Sequence, residues 1–539
     1  MTRLELWHAA RLALAAWAAF AIATALSIEH AFWASMPVWV IAQPWRGVTL
    51  ERALWRFLGT AVGGGLGLGL LALSPDVRVT AGALSLLLAG FAFCVHIWPG
   101  VRNYLPMMCA ITLAVVVLPA LLDPSGDLEL ARDRLACTGI GALCVVMIVG
   151  PFTPKADAPG FRAAGAALAA RFRQTAALLL FAPDETARLD AAFAETLRSG
   201  AELETRARLV AAGSRDGYRR MAALEAILAA GLALLEAASL ARRTPAEAAR
   251  ARALLHAPSE ARVPPPPDTA SDPMANALHA LETACRELQA TAPSGRALNR
   301  IAPPRNLAAG LRGAALAFCV SLAGGALVIL TGSFALELAA FSMTVFALVL
   351  GAMPLPQPMA PKLGTGVVIG AATGVLYRLA VQPHLTDWPS LVLTIAPFIL
   401  LGALGRANPR TAPYALDANM CFMLASQAGA AATTPTVAIS SGVAMALGTL
   451  LVVACVMALP RPGARLIRRT EARLERDIRL LKTRSNALPP AHWTAIWSRR
   501  VLSLAAALES TAQPLPRHLL DLAVRGQEAI AQRHSGPIA

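Results

Sequence analysis

Late in the chain, an apolar run carries Tyr414-Ala-Leu-Asp417-Ala-Asn419-Met-Cys421, with Arg410 one to two helical turns upstream. Carboxylates are scarce in such runs, because an ionisable group costs about 2.5–3.5 kcal/mol at a bilayer centre on insertion scales. Asp417 therefore either accepts and releases a proton or pairs with a cation, and Arg410 is the cation within reach. Asn419 either hydrogen-bonds a small ligand or ties two helices together. In the first half, Arg102-Asn103-Tyr104 follows the break Trp98-Pro99-Gly100. Arg102 either grips a carboxylate through its forked guanidinium or anchors a loop at the membrane surface. His96 is a candidate proton carrier or a structural interfacial histidine. Arg378 is expected to snorkel from a helix end.

A denser stretch runs from Phe32 to Thr60. Pro37 is expected to interrupt a span and free backbone groups, which a membrane tolerates where they meet protein or a cavity. Gln43-Pro44 ends that span and Gly47 makes the turn. Arg52 and Arg56, four apart, share one face of the helix that follows. They either hold an anion at the mouth or bind lipid phosphates. No GxxxxGK[ST], HExxH or GxSxG pattern occurs, which leaves ATP hydrolysis and metallo- or serine-hydrolase chemistry without residues. The eight cysteines form no CxxC pair and read as small buried hydrophobes. No metal, cofactor or enzymatic activity is expected.

The elements that must position these residues are long apolar helices. The 539 residues are 56% hydrophobic and 15% charged, with mean hydropathy +0.54, against about 25% charged in soluble domains. Continuous apolar runs approach the ~20 residues that cross ~30 Å of hydrocarbon as a helix. Six fall near 9–28, 31–45, 57–73, 79–98, 105–122 and 135–152, and six more near 307–330, 334–353, 363–381, 389–405, 412–432 and 437–459. The net charge of +15 sits mostly beside these runs, which points to topogenic loops and anionic lipid and away from nucleic acid. Arg3, Arg11, Arg46, Arg52, Arg56, Arg102 and Lys155 mark one side in the first block; Lys362, Arg406, Arg410 and Arg461–Arg469 mark it in the second. Met1–His8 is short and polar, and no cleavable leader is expected.

The expectation is an all-α polytopic membrane protein with two parallel six-helix transmembrane repeats, each followed by a cytoplasmic helical region. The divisions fall at 1–152, 153–306, 307–460 and 461–539, with both termini cytoplasmic. Val263–Asp268 reads as a linker, and Ile467, Leu474, Ile478 and Leu481 form a heptad-like seam for packing or dimerisation. Local likeness supports duplication. Arg56-Phe-Leu-Gly59-Thr60 matches Lys362-Leu-Gly364-Thr365, Met108-Cys109 matches Met420-Cys421, and Gly59, Gly63 and Gly67 match the spacing of Gly366, Gly370 and Gly374. Such a glycine stripe either lines a path or lets two backbones pack closely.

Phe32-Trp33-Ala34, Gln43-Pro44, Gly47 and Arg56–Thr60, with Gly59 and Thr60 closing the motif, resemble the signature of the fusaric acid resistance and aromatic acid exporter family of bacterial inner-membrane proteins. The resemblance extends to the organisation of nearly the whole chain. It implies ion-gradient-driven export of aromatic carboxylic acids or related toxic organic anions. It also implies work with a periplasmic membrane-fusion adaptor and an outer-membrane channel. The second block departs from the motif, lacking the Trp-Ala and Gln-Pro-x-x-Gly elements in Phe334–Pro354. A passive organic-anion channel is the alternative, since plant malate channels are distantly similar to this membrane unit. A non-transporting envelope scaffold is a third reading. Homo-oligomers and contact with the lipid bilayer are expected in each case.

Overall fold

The computed structural model describes residues 2–74, 76–98, 100–122, 127–155, 158–257, 272–291, 300–301, 306–353, 355–385, 387–430, 433–459, 464–483, 490–508 and 515–534. Every regular element among them is helical. The chain divides into two compact units: Met1–Lys155 with Arg305–Arg461, and Ala156–Pro304 with Pro462–Ala539. The middle region and the tail, separate in sequence, thus form one body. The proline run at 263–268 lies outside the described residues.

In chain order, α1 (Arg3–Ala25) opens on a capping box in which Thr2 and Glu5 satisfy each other's backbone N–H. A 3-10 turn (Ala31–Ala34) leads into α2 (Met36–Ile41). Then come α3 (Arg46–Leu73), α4 (Val77–Val95), a 3-10 turn (Gly100–Asn103), α5 (Tyr104–Ala120) and α6 (Asp127–Cys144). A π-helical turn (Val145–Val149) extends α6. The middle region holds α7 (Ala158–Phe181), α8 (Thr186–Ala211), α9 (Arg215–Ala241), α10 (Pro245–His256) and α11 (Pro273–Gln289). The second block holds α12 (Leu307–Thr331), α13 (Phe334–Gly351), α14 (Ala360–Ala380), α15 (Trp388–Ala407), α16 (Ala412–Ser426) and α17 (Pro435–Ala458). The tail holds α18 (Ala464–Thr483), α19 (Pro490–Leu508) and α20 (His518–His534).

Eleven helices among the described residues are long and apolar enough to cross a membrane. Ten lie in the first unit. The eleventh, α9, lies in the second, where Leu224, Ile227, Leu228, Leu232 and Leu235 form the centre of that unit's own core; a helix enclosed on all sides is apolar all round without lipid. Two expected spans are short. The segment at 31–45 is only the 3-10 turn and α2, and the one at 412–432 is the 15-residue α16, which ends at Gln427 in the left-handed region. At 1.5 Å per residue α16 spans about 22 Å, less than the hydrocarbon thickness. Ala31–Ala34 and all of α2 except Val40 are buried, so protein and not lipid surrounds their free backbone groups. Pro37 begins α2 instead of breaking it, since the first helical turn needs no N–H from it. Counting these two, each repeat has six segments.

The repeats interlock reciprocally. The first helix of each packs on the fourth of the other: α1 on α15, where Trp17 Nε1 donates to Val392 O at 2.9 Å, and α12 on α4, where Gly310 meets Phe93. The second segment of each meets the fifth of the other, α2 against α16 and α13 against α5. Within each repeat, the third and fifth helices are pressed together along the glycine stripe. A Cβ on Gly59 would fall 2.6 Å from Met108 Cβ and 2.9 Å from Leu105 O; one on Gly366 would meet Asp417 Cβ and Tyr414 O. Gly63 abuts Cys109 O as Gly370 abuts Ala418 O, and Gly67 abuts Val116 as Gly374 abuts Ala425. The stripe is therefore a packing seam, and it fixes the register of the duplication. Gly59 corresponds to Gly366, not Gly364, and Met108 corresponds to Asp417, not Met420. The sequence likeness Met108-Cys109 to Met420-Cys421 is offset by one helical turn from the structural equivalence.

Gly370→Val should collapse this seam. The added atoms meet the Ala418 carbonyl and the Phe422 N–H, which are backbone and cannot swing aside. Overpacking of this kind costs about 1–3 kcal/mol and more where no side chain can yield. The expected readout is loss of monodisperse protein in detergent, while Gly65→Val, where a Cβ meets nothing within 4 Å, is tolerated.

In the second unit, α7, α8 and α11 surround α9, and α19 and α20 of the tail complete the core. Leu474, Ile478 and Leu481 of α18 are buried in this same core, which occupies the heptad-like seam. Glu204 of α8 is buried and takes both guanidinium nitrogens of Arg499 of α19, at 2.9 and 2.7 Å, together with Arg208. Burial alone would raise the Glu204 carboxyl, but hydrogen bonds and charge from Arg499 and Arg208 hold it below its ordinary 4.5. The contribution of this cluster is therefore complete above 4.5 and fades as the pH falls through the lower folded value. Arg499→Met should cost about 3 kcal/mol at neutral pH, because it strips the two-pronged partner from a buried carboxylate. In denaturant melts, the gap between the variant and the parent should narrow in acid.

Candidate functional site

Pro44 ends α2, where the Gln43 amide donates to Val40 O and Ala42 O at 2.9 Å. Trp45 is extended, and α3 starts at Arg46. Gly47 thus lies in the first turn of α3 and not in a separate turn, and Arg56–Thr60 lie well inside the helix and not at its start. Arg52 and Arg56 stand about 9 and 15 Å along α3 at 1.5 Å per residue. Arg56 is 6% exposed, which rules out the lipid-phosphate role for it. Its Nη1 donates to Tyr104 Oη at 2.9 Å and lies 3.3 Å from Met108 Sδ. Arg52 Nη1 donates to Val40 O at 3.2 Å, and its guanidinium sits 5.3 Å above the Tyr104 ring.

Two further arginines extend this pair. Arg134 of α6 is 6% exposed and stacks 3.6 Å over the Trp33 ring, and its charge acts on Arg56. Arg406, in the last turn of α15, is within electrostatic range of Arg52 and of Asp417. The result is a row that runs Arg134, Arg56, Arg52, Arg406, Asp417 through the interior of the first unit. Beside Arg134, the buried Asp133 is engaged by His30 Nδ1 at 3.3 Å and by Arg132 at 3.8 Å. The row ends at the carboxylate of Asp417, on which Arg406 acts.

The interior is rich in donors lacking acceptors. The Nε atoms of Arg52, Arg56 and Arg134 and the indole Nε1 of Trp33, Trp39 and Trp55 are buried with no partner among the described residues. Each such group forfeits about 1–3 kcal/mol of hydrogen bonding. Phe32 lies beside Trp33, and Trp33 meets Phe341 edge-on at 6.4 Å, so an aromatic wall adjoins these donors.

The structure places the other sequence candidates as follows. Asp417 has Oδ2 enclosed and unpartnered among the described residues. Arg410 does not pair with it; Arg410 is exposed and its backbone N–H donates to Asn408 Oδ1 at 3.0 Å. Asn419 is 8% exposed, packs against Gly402 of α15, and leaves Nδ2 without a partner among the described residues. Tyr414 is half-buried, with its carbonyl against Gly366. Tyr104 is buried within the row, Asn103 is half-buried ahead of it, and Arg102 is exposed in the turn before α5. His96 Nε2 donates to Gly351 O at 2.9 Å, and its own carbonyl accepts from Asn306 N, so it staples α4 to the second repeat. Thr60 is buried one turn beyond Arg56. Arg378 does not snorkel: it is 7% exposed and its Nη2 has no partner among the described residues. Arg406, expected among the basic loop charges, lies in the last turn of α15, and Arg134 lies in α6. A longer helical reading of 127–152 and 388–407 was the signal that would have moved them inside.

Fold and site define a polytopic helical membrane protein, assembled from two like repeats around an arginine-lined interior. The chain belongs to the fusaric acid resistance protein family, whose profile matches residues 5–261 and again residues 267–532. Each match takes in one membrane block and helical sequence that follows it. No curated protein matches the chain.

Proposed function

We propose that this protein is a secondary exporter of aromatic carboxylic acids or related organic anions, driven by an ion gradient across a bacterial inner membrane. The observation that carries the reading is the row of four buried or half-buried arginines that ends beside the titratable carboxylate of Asp417. Cations held inside a membrane are expensive and mark ion pathways. Asp417 supplies a titratable group, which a coupled carrier needs and a passive channel does not. Family membership supports transport over catalysis. The basic loops support a cytoplasmic side for both termini and the second unit. A periplasmic adaptor of the membrane-fusion type, an outer-membrane channel and a homo-oligomeric state complete the proposal.

Reconstituted vesicles test it. Labelled benzoate should enter with saturable kinetics when a proton gradient is imposed, and stop when the gradient is collapsed. Ohmic currents without saturation would make the protein a channel. No flux, joined to unchanged growth of a deletion strain across a panel of aromatic acids, would leave the scaffold reading.

A further inference from the structure

We infer that Arg56 and Arg134 together form a binding site for the single carboxylate of an organic acid, with the Trp33 indole packed beneath Arg134. The site rests on the export reading and names where along the row the anion is held. Three independent observations converge there. Both arginines are 6% exposed, and each keeps a buried Nε without a partner among the described residues. Their charges act on one another, which no protein carboxylate offsets: the neighbouring Asp133 is turned to His30 and Arg132. Like charges buried side by side are unfavourable unless an anion joins them.

The third observation is the broken symmetry of the repeats. Because Gly59 corresponds to Gly366, Arg56, three residues earlier, corresponds to Leu363. By the same register Met108 corresponds to Asp417. The first repeat therefore has a cation facing a neutral thioether, and the second has a carboxylate with leucine at the place of the cation. Arg56 reaches Met108 Sδ at 3.3 Å, where a carboxylate at that position would have closed an internal ion pair. Methionine there leaves the arginine for an external acid. Arg56 and Arg134 come from α3 and α6, so an anion between them bridges two helices. Trp33, with Phe32 and Phe341 beside it, lends the wall for a planar apolar body.

The test uses the purified full-length protein, with calorimetric titration and thermal melting. The probes are benzoate, its neutral isostere benzamide, and sulfate. Benzoate should bind and raise the melting temperature, and benzamide and sulfate should not. Met108→Glu places a carboxylate beside Arg56. It should raise the melting temperature without ligand and weaken benzoate by roughly thirtyfold or more, the loss typical of a buried charge pair already filled. Arg134→Met should weaken benzoate to a similar degree through loss of one arm. Equal benzoate affinity in both variants and the parent would overturn the site, as would benzamide or sulfate binding as tightly as benzoate. Flux separates the two readings: benzoate binding that both variants weaken, joined to a parent that moves no benzoate, retains the site and removes export. Gradient-coupled flux untouched by either variant retains export and removes the site.

Discussion

Asp417→Asn should abolish gradient-driven export and leave the protein folded. The exchange keeps the shape of the side chain and removes its ability to gain or lose a proton. Asp417 sits in α16, a helix too short to cross the bilayer alone, against which α2 of the other repeat packs. Its Oδ2 is enclosed without a partner among the described residues, and the cation acting on it is Arg406, not Arg410. An amide there still packs against Gly366, so the seam between α14 and α16 is retained. Melting curves should shift little, since volume-conserving changes cost less than about 1.5 kcal/mol. Uptake against a proton gradient should fall to background, while exchange of labelled for unlabelled benzoate at equal pH persists. Full gradient-driven transport at saturating substrate would take Asp417 out of the mechanism.

Much of this architecture is legible from residue order, and the exceptions have physical causes. Apolar runs of span length locate ten of the crossing helices, because hydropathy responds directly to lipid contact. It cannot tell lipid contact from enclosure by protein, so α9 has the composition of a span while filling a separate core. The same ambiguity hides the short segments: Ala31–Ile41 is apolar enough to suggest crossing, but its neighbours bury it on every side. Charge is harder still. Arg134 closes the acidic stretch Asp123–Arg134 in sequence and reads as part of a polar loop, yet α6 begins at Asp127 and carries Arg134 two turns inward. Arg56 reads as a helix-start residue until Pro44 and Trp45 are seen to end the previous segment and let α3 begin ten residues earlier, at Arg46.

The duplication teaches a related point. Residue identity aligned Met108 with Met420, whereas packing aligns it with Asp417. The glycines hold the register because their role is steric and admits no larger residue. The residues beside them differ in charge character: Arg56 and Met108 in the first repeat stand where Leu363 and Asp417 stand in the second. On the export reading proposed above, a pathway between the repeats holds a fixed cation on one side and a titratable acid on the other, and Arg52 and Arg406 lie between them.

The stability of Arg56→Met decides whether that row is built for a ligand. Were Arg56 a structural residue, removing it would strand its partners and lower stability by about 3–5 kcal/mol, as when one member of a buried ion pair is deleted. Its partners are Tyr104 Oη and Met108 Sδ, both neutral, and its charged neighbours are cations. Replacing a buried, uncompensated charge with an apolar side chain of similar length is neutral or stabilising by about 1–4 kcal/mol. We therefore expect Arg56→Met to melt at or above the parent temperature in the absence of ligand. The same variant should lose the stabilisation that benzoate confers, and its export should drop to background at any substrate concentration. Arg56→Lys keeps the charge but not the fork, and should recover part of the flux at raised KM. A large fall in melting temperature with export intact would show Arg56 to be a brace between α3 and α5, and the anion would then have to travel elsewhere.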